Sequence, residues 1–168
     1  MDTPEFTPHA DELIGHNTRF AADFPDADVP GRPTRNLAVV TCMDCRLDPR
    51  EMLGLAKGEA HIMRNAGGVL TDDMVRSLVM SQRALGTREV MIVHHTRCGM
   101  EGVHDEDFID HLEQETGARP EWTPGGFADV VADVRDAVRS LKESPFLLHK
   151  DHIRGFVYDV DTGRLIEA

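Results

Sequence analysis

Two short apolar runs, Asn36–Cys42 and Glu89–His94, constrain this chain most, because metal-binding side chains stand at the C-terminal end of each. Runs of this length, rich in β-branched residues, read as strands buried on both faces. A third and weaker strand is expected over Glu59–Arg64, before the turn signal Ala66-Gly67-Gly68. Thr71-Asp72-Asp73 predicts a helix start, with a hydroxyl to cap it and two carboxylates at the positive end of the dipole. That helix is expected to run to Leu85 and end at Gly86. Further helices are expected around 105–116 and 126–142, then a last strand over Ile153–Val160 with Asp161-Thr162-Gly163 as its turn. The first 25 residues place Phe6, Leu13, Ile14, Phe20 and Phe24 at roughly helical spacing, which predicts one amphipathic helix. A Pro/Gly-rich passage, Pro25–Pro33, sets it apart from the body. Strands alternating with helices predict an α/β fold, a single domain over 1–168 with a mostly parallel central sheet and helices on both faces.

Charge and composition narrow the function. Thirty acidic residues against 18 basic ones give a formal net charge of -12. Such a surface repels phosphate backbones and anionic lipid, so neither nucleic acid nor a membrane is an expected partner. No apolar stretch approaches the roughly 20 residues that span a bilayer. The acidic start, Met1-Asp2-Thr3-Pro4-Glu5, lacks the order of a secretory signal, so a cytoplasmic protein with reduced thiols is expected. Three cysteines do not make a disulfide framework. Metal binding or reactivity explains them better.

The ends of parallel strands are where open α/β sheets bind ligands. The first cluster there is Cys42-Met43-Asp44-Cys45-Arg46, and the second is His95-Thr96-Arg97-Cys98. If the chain stays extended after Cys42, then Cys42, Asp44 and Arg46 share a face and Cys45 points away. Cys42, His95 and Cys98, two thiolates and an imidazole, suit zinc. Three protein ligands leave a fourth position for water, the pattern of a catalytic site. Asp44 is the candidate for closing it. Paired with Arg46 it leaves the metal open, and bound to the metal it shuts the site. A zinc with two thiolates and a neutral histidine has net charge near zero and acidifies water less than an all-histidine site does. Activity is therefore expected to favour alkaline pH, and a flat pH–rate profile would contradict this.

Cys-x-Asp-x-Arg at Cys42, Asp44 and Arg46, followed by His-x-x-Cys-Gly at His95, Cys98 and Gly99, resembles the β-class carbonic anhydrases. The resemblance is distinct from Asn36 to Met100. Arg64-Asn65-Ala66-Gly67 and the stretch His94–Met100 are similar to the short bacterial and archaeal members. The resemblance implies one Zn2+ per chain on Cys42, His95 and Cys98, with Asp44 and Arg46 as a catalytic dyad. It implies reversible hydration of carbon dioxide to bicarbonate, with Asp44 orienting a zinc-bound hydroxide and the Gly99 amide near a substrate oxygen. It also implies a homodimer or higher homo-oligomer, with the N-terminal helix lying across the partner. Two departures matter. No glutamine precedes Gln82 to serve as a pocket residue, and Val39 stands in the region where members with a regulatory bicarbonate pocket carry tryptophan.

Two alternatives remain open: hydrolysis of carbonyl sulfide or carbon disulfide on the same site, and a non-catalytic zinc protein, redox-responsive through Cys45. For other residues plainer roles are expected. Cys45 packs, Asp72 and Asp73 cap a helix, and His94 packs or hydrogen-bonds beside the site. Arg64 and Asn65 either brace the site or merely shape a turn.

Overall fold

A computed structural model describes residues 6–168. Five strands form one sheet in the order β2-β1-β3-β4-β5. They are β1 (Leu37–Cys42), β2 (Ala60–Asn65), β3 (Glu89–His95), β4 (Ile153–Tyr158) and β5 (Leu165–Glu167). The first four run parallel, and β5 returns antiparallel to β4. The α/β architecture expected from the alternation of strands and helices is the one found.

Side chains alternate between the two faces of the sheet as the pleat requires. Ala38, Val40, Val90, Ile92 and Ile153 face one side, where Met74 and Leu78 of α3 (Asp72–Arg83) and Leu141 of α5 (Val130–Glu143) pack on them. Leu37, Val39, Val93 and Phe156 face the other side, covered by Met52 and Leu53 of α2 (Pro49–Leu53). Burying one such side chain fully is worth about 1.5–3 kcal/mol, so β1 and β3, buried along most of their length, anchor the fold.

Several boundaries move for local reasons. Thr71 caps α3 as expected, accepting from the Met74 amide at 3.2 Å. The helix stops at Arg83 rather than Leu85. The helix expected from 126 begins at Val130, after Asp129 accepts from the Val131 and Ala132 amides. A Cβ at Gly126 would clash with the Val103 carbonyl oxygen, and Phe127 bridges to Glu101 and Gly102, so this segment runs flat against residues 101–103. The unforeseen α2 has a legible start, since Asp48 caps it and Pro49 occupies its first turn. The unforeseen β5 completes the hairpin that Asp161-Thr162-Gly163 turns, and a forked Arg154–Glu167 pair holds it at 2.8 and 2.7 Å. The N-terminal helix is shorter than the 25 residues expected: α1 spans Ala10–Ala22, after Pro8, while Met1–Glu5 lie outside the described residues. No residue of α1 is buried. No helix among the described residues is long and apolar enough to cross a membrane.

Candidate metal centre

Strands β1 and β3 are hydrogen-bonded neighbours, so their C-terminal ends bring Cys42 beside His95 and Cys98. Among the described residues these three are the one set of His, Cys, Asp or Glu side chains placed to share a metal ion, their ligand atoms all lying within 4.8 Å of one another. All three are buried. The Cys42 and Cys98 sulfurs are 3.9 Å apart, and no cysteine is in a disulfide.

The imidazole is already oriented. His95 Nδ1 lies 3.0 Å from the Thr96 carbonyl, to which it donates, and this leaves Nε2 as the lone-pair atom. That Nε2 is buried and has no hydrogen-bond partner, a costly state unless a cation takes the lone pair. Burial also pushes the Cys98 thiol up to about 11, so a thiolate there calls for a positive counter-charge. Burial likewise lowers the pKa of His95, keeping the ring in the neutral form that ligates metal. A soft, orphaned donor set of two sulfurs and one nitrogen therefore fits zinc.

Asp44 stands beside this set, its Oδ2 3.8 Å from His95 Nε2. Arg46 grips it in a fork: Nε donates to Oδ1 at 2.9 Å, and Nη2 to Oδ2 at 2.7 Å. The Arg46 amide adds a third bond to Oδ1 at 2.9 Å. These donors, the guanidinium first, hold the Asp44 carboxyl far below the usual carboxylate range. Of the two states foreseen for Asp44, the structure has the one paired with arginine. Cys42, Asp44 and Arg46 do gather and Cys45 does point out to solvent, but an extended chain is not the cause. The strand ends at Cys42, and a turn closes from the Asp44 carbonyl to the Leu47 amide at 3.1 Å. Cys45, at the turn's corner, is exposed rather than a packing residue as expected.

Two braces complete the arrangement. Arg64, at the end of β2, donates to the Cys42 carbonyl at 3.0 Å and to the Asp44 carbonyl at 2.7 Å. This resolves the open reading of Arg64 in favour of bracing. Replacing it by lysine keeps the charge and loses the fork. Arg64→Lys is expected to cost about 1–3 kcal/mol in urea denaturation. Arg46 Nη2 also donates to the Arg97 carbonyl at 3.0 Å, tying the Asp44 turn to the loop between His95 and Cys98. Arg97 takes a left-handed backbone, φ 54°, which turns that loop back toward the sheet. Thr96 is held in turn by the β4–β5 turn, where its hydroxyl oxygen accepts from the Val160 amide at 3.1 Å. Sequence reasoning missed both loop contacts, since they span more than 50 residues. Gly99 follows Cys98 in an exposed turn, and a Cβ there would meet nothing within 4 Å, so its backbone is open to close approach.

The carbonic anhydrase family model matches residues 37–165. Beta-carbonic anhydrase 1 of Mycobacterium tuberculosis is 47% identical over 158 residues, covering 94% of this chain and 96% of that protein. A carbonic anhydrase structure from Streptococcus mutans superposes with a TM-score of 0.87 at 39% identity, over 97% of this chain and 99% of that one. A carbon disulfide hydrolase of Acidithiobacillus thiooxidans is 33% identical over 80% of this chain and 73% of its own length. With the matched span running from the start of β1 to β5, and with near-full coverage on both sides in the first two comparisons, the chain belongs to the β-carbonic anhydrase family.

Proposed function

We propose that this protein is a zinc enzyme that reversibly hydrates carbon dioxide to bicarbonate and a proton, using Cys42, His95 and Cys98 as ligands. The observation that carries this reading is the buried, unpartnered His95 Nε2 facing two reduced thiols, with an ionised carboxylate 3.8 Å away. Zinc bound there supplies a Lewis acid that makes water a usable nucleophile near neutral pH. Asp44, held on Arg46, is an acceptor aimed at the space beside His95 and orients a donor there. Arg46 keeps Asp44 from swinging onto the metal. The exposed Gly99 turn leaves its amide free to meet a substrate oxygen.

Stopped-flow hydration of carbon dioxide, beside a carbonyl sulfide assay on the same zinc-loaded sample, tests the reading. Fast hydration with negligible sulfide release supports it. The reverse result would favour carbonyl sulfide hydrolysis on the same site, and silence in both assays would leave a non-catalytic zinc protein. A carboxyl with a depressed pKa stays ionised at and above the ordinary carboxylate range and is lost only as pH falls through its lowered value. The turnover rate is therefore expected to show no acid limb from Asp44 above about pH 4. A rate that halves around the pKa of an ordinary aspartate would contradict this.

Assembly and location belong to the same proposal. Leu13, Ile14, Phe20 and Phe24 are exposed on and just after α1, and a helix of this length with no buried residue is marginal alone. Its C-terminal end is pinned to the body, with the Lys57 ammonium 5.2 Å from the Phe20 ring centroid and paired with Asp26. These features support a homodimer in which α1 packs on the partner. Sedimentation at micromolar concentration should show one species of twice the chain mass. Three free cysteines support a cytoplasmic setting.

A further inference from the structure

His94 is buried, histidine is a costly residue to bury, and the proposed chemistry does not use it. It neighbours His95 in β3 but faces the opposite side of the sheet, toward α5. Each polar atom of its ring meets a different element. Nε2 donates to the Gly68 carbonyl at 3.1 Å, in the 3₁₀ turn Ala66–Gly68. Nδ1 lies 3.0 Å from Asp133 Oδ2 on α5, and neither atom has a hydrogen-bond partner. The ring also stacks on Phe127, centroids 6.0 Å apart and planes at 24°.

The Gly68 and Phe127 contacts lead back to the metal centre. The Gly68 turn lies against the end of β1, where a Cβ on Gly68 would be 3.0 Å from the Cys42 nitrogen, 2.9 Å from the Thr41 carbonyl carbon and 3.2 Å from His94 Cδ2. Gly68 has φ +73°, so a side chain there is disfavoured on both counts. Phe127 packs with Cys42 and Cys98 in one buried cluster. One ring thus touches the turn that rests on the Cys42 backbone and the phenyl ring that shares a buried cluster with Cys42 and Cys98, and it is next to His95 in the chain.

We propose that His94, anchored by Asp133, is a positioning residue for the metal centre: it sets the spacing between the strand end that carries Cys42 and the strand end that carries His95. The proposal rests on the reading of Cys42, His95 and Cys98 as zinc ligands. His94 touches no ligand atom and acts through the Gly68 turn and Phe127. Groups that orient metal ligands from outside the coordination sphere commonly change affinity 10- to 100-fold when replaced.

The test is the zinc dissociation constant of the full chain, by competition with a chromophoric chelator, and the visible spectrum of the cobalt(II)-loaded protein. His94→Phe keeps the ring stack and loses both polar contacts. It is expected to weaken zinc binding about 10- to 100-fold and to shift the cobalt bands. Asp133→Leu is expected to weaken it about tenfold, while Asp133→Asn, which keeps the size of the side chain and offers an amide N–H to Nδ1, restores binding to within about threefold of wild type. A purely structural role would lower the melting temperature of the metal-free protein and leave zinc affinity and the cobalt spectrum at wild-type values, and that result overturns the proposal. Should His94→Phe fail to fold, the contrast between the two Asp133 variants decides. A wild-type chain that binds no zinc overturns the metal-centre reading as well, whereas normal wild-type binding with unchanged variants overturns this inference alone.

Discussion

Asp44→Ala is expected to lower the turnover number for carbon dioxide hydration by about 100-fold or more while one zinc per chain stays bound. The size follows from what a positioned proton acceptor contributes to such reactions, about 10²- to 10⁴-fold. The retention of metal follows from geometry: in the structure Asp44 is committed to Arg46 through two side-chain contacts and one amide, and the ligand set is complete without it. Metal analysis and stopped-flow kinetics on the same sample check both halves. Loss of zinc from the variant would mean that Asp44 closes the coordination sphere, and the proposed mechanism would fall with that result. Asp44→Asn is a sharper companion, because it keeps the shape and removes the charge that Arg46 pairs with. Its arginine is then free to move, so a loss of activity at least as large as that of Asp44→Ala is expected.

Removing the metal should be the other large effect. Chelation is expected to abolish hydration and to lower the melting temperature. Zinc held at 1,000 times its dissociation constant stabilises a protein by about 4 kcal/mol, when it binds the folded chain alone. For a chain of this size that corresponds to about 8–16 °C. His95→Ala should reproduce most of the activity loss and show no further destabilisation by chelator. Differential scanning calorimetry with and without zinc checks this. An apo-protein that melts at the temperature of the zinc-loaded protein would show that the buried donors are satisfied without metal, contrary to the orphaned Nε2 of His95.

The centre was legible in the sequence because it lies where periodicity is strongest. Val39, Val40, Val90 and Ile92 mark two strands buried along most of their length, and Cys42 and His95 stand at their last positions. The side of the sheet taken by His94 was legible for the same reason, since neighbouring residues on a strand face opposite ways. Its partners were not, because Gly68 and Asp133 reach it from segments with no pattern linking them to β3. The turn at Asp44–Leu47 was hidden by a coincidence: an extended strand and an aspartate-capped turn both place Asp44 and Arg46 together and turn Cys45 away. The late start of α5 was hidden too. Nothing in residues 126–129 alone says that Gly126 lies against the Val103 carbonyl. Short elements escaped for want of length, although Asp48-Pro49 was a readable helix start.

The direct pairing of β1 with β3 also governs when a metal can be captured. Helix α3 and the whole of β2 lie between the two strands in sequence, so a chain leaving the ribosome holds Cys42 long before it holds His95 and Cys98. Until the two central strands dock, each half offers a metal at most a pair of donors. Loading is thus a late event in folding, contingent on a distant contact. On the proposed zinc reading, chains made without the ion would carry a finished sheet and an empty centre, and adding zinc would activate them without refolding.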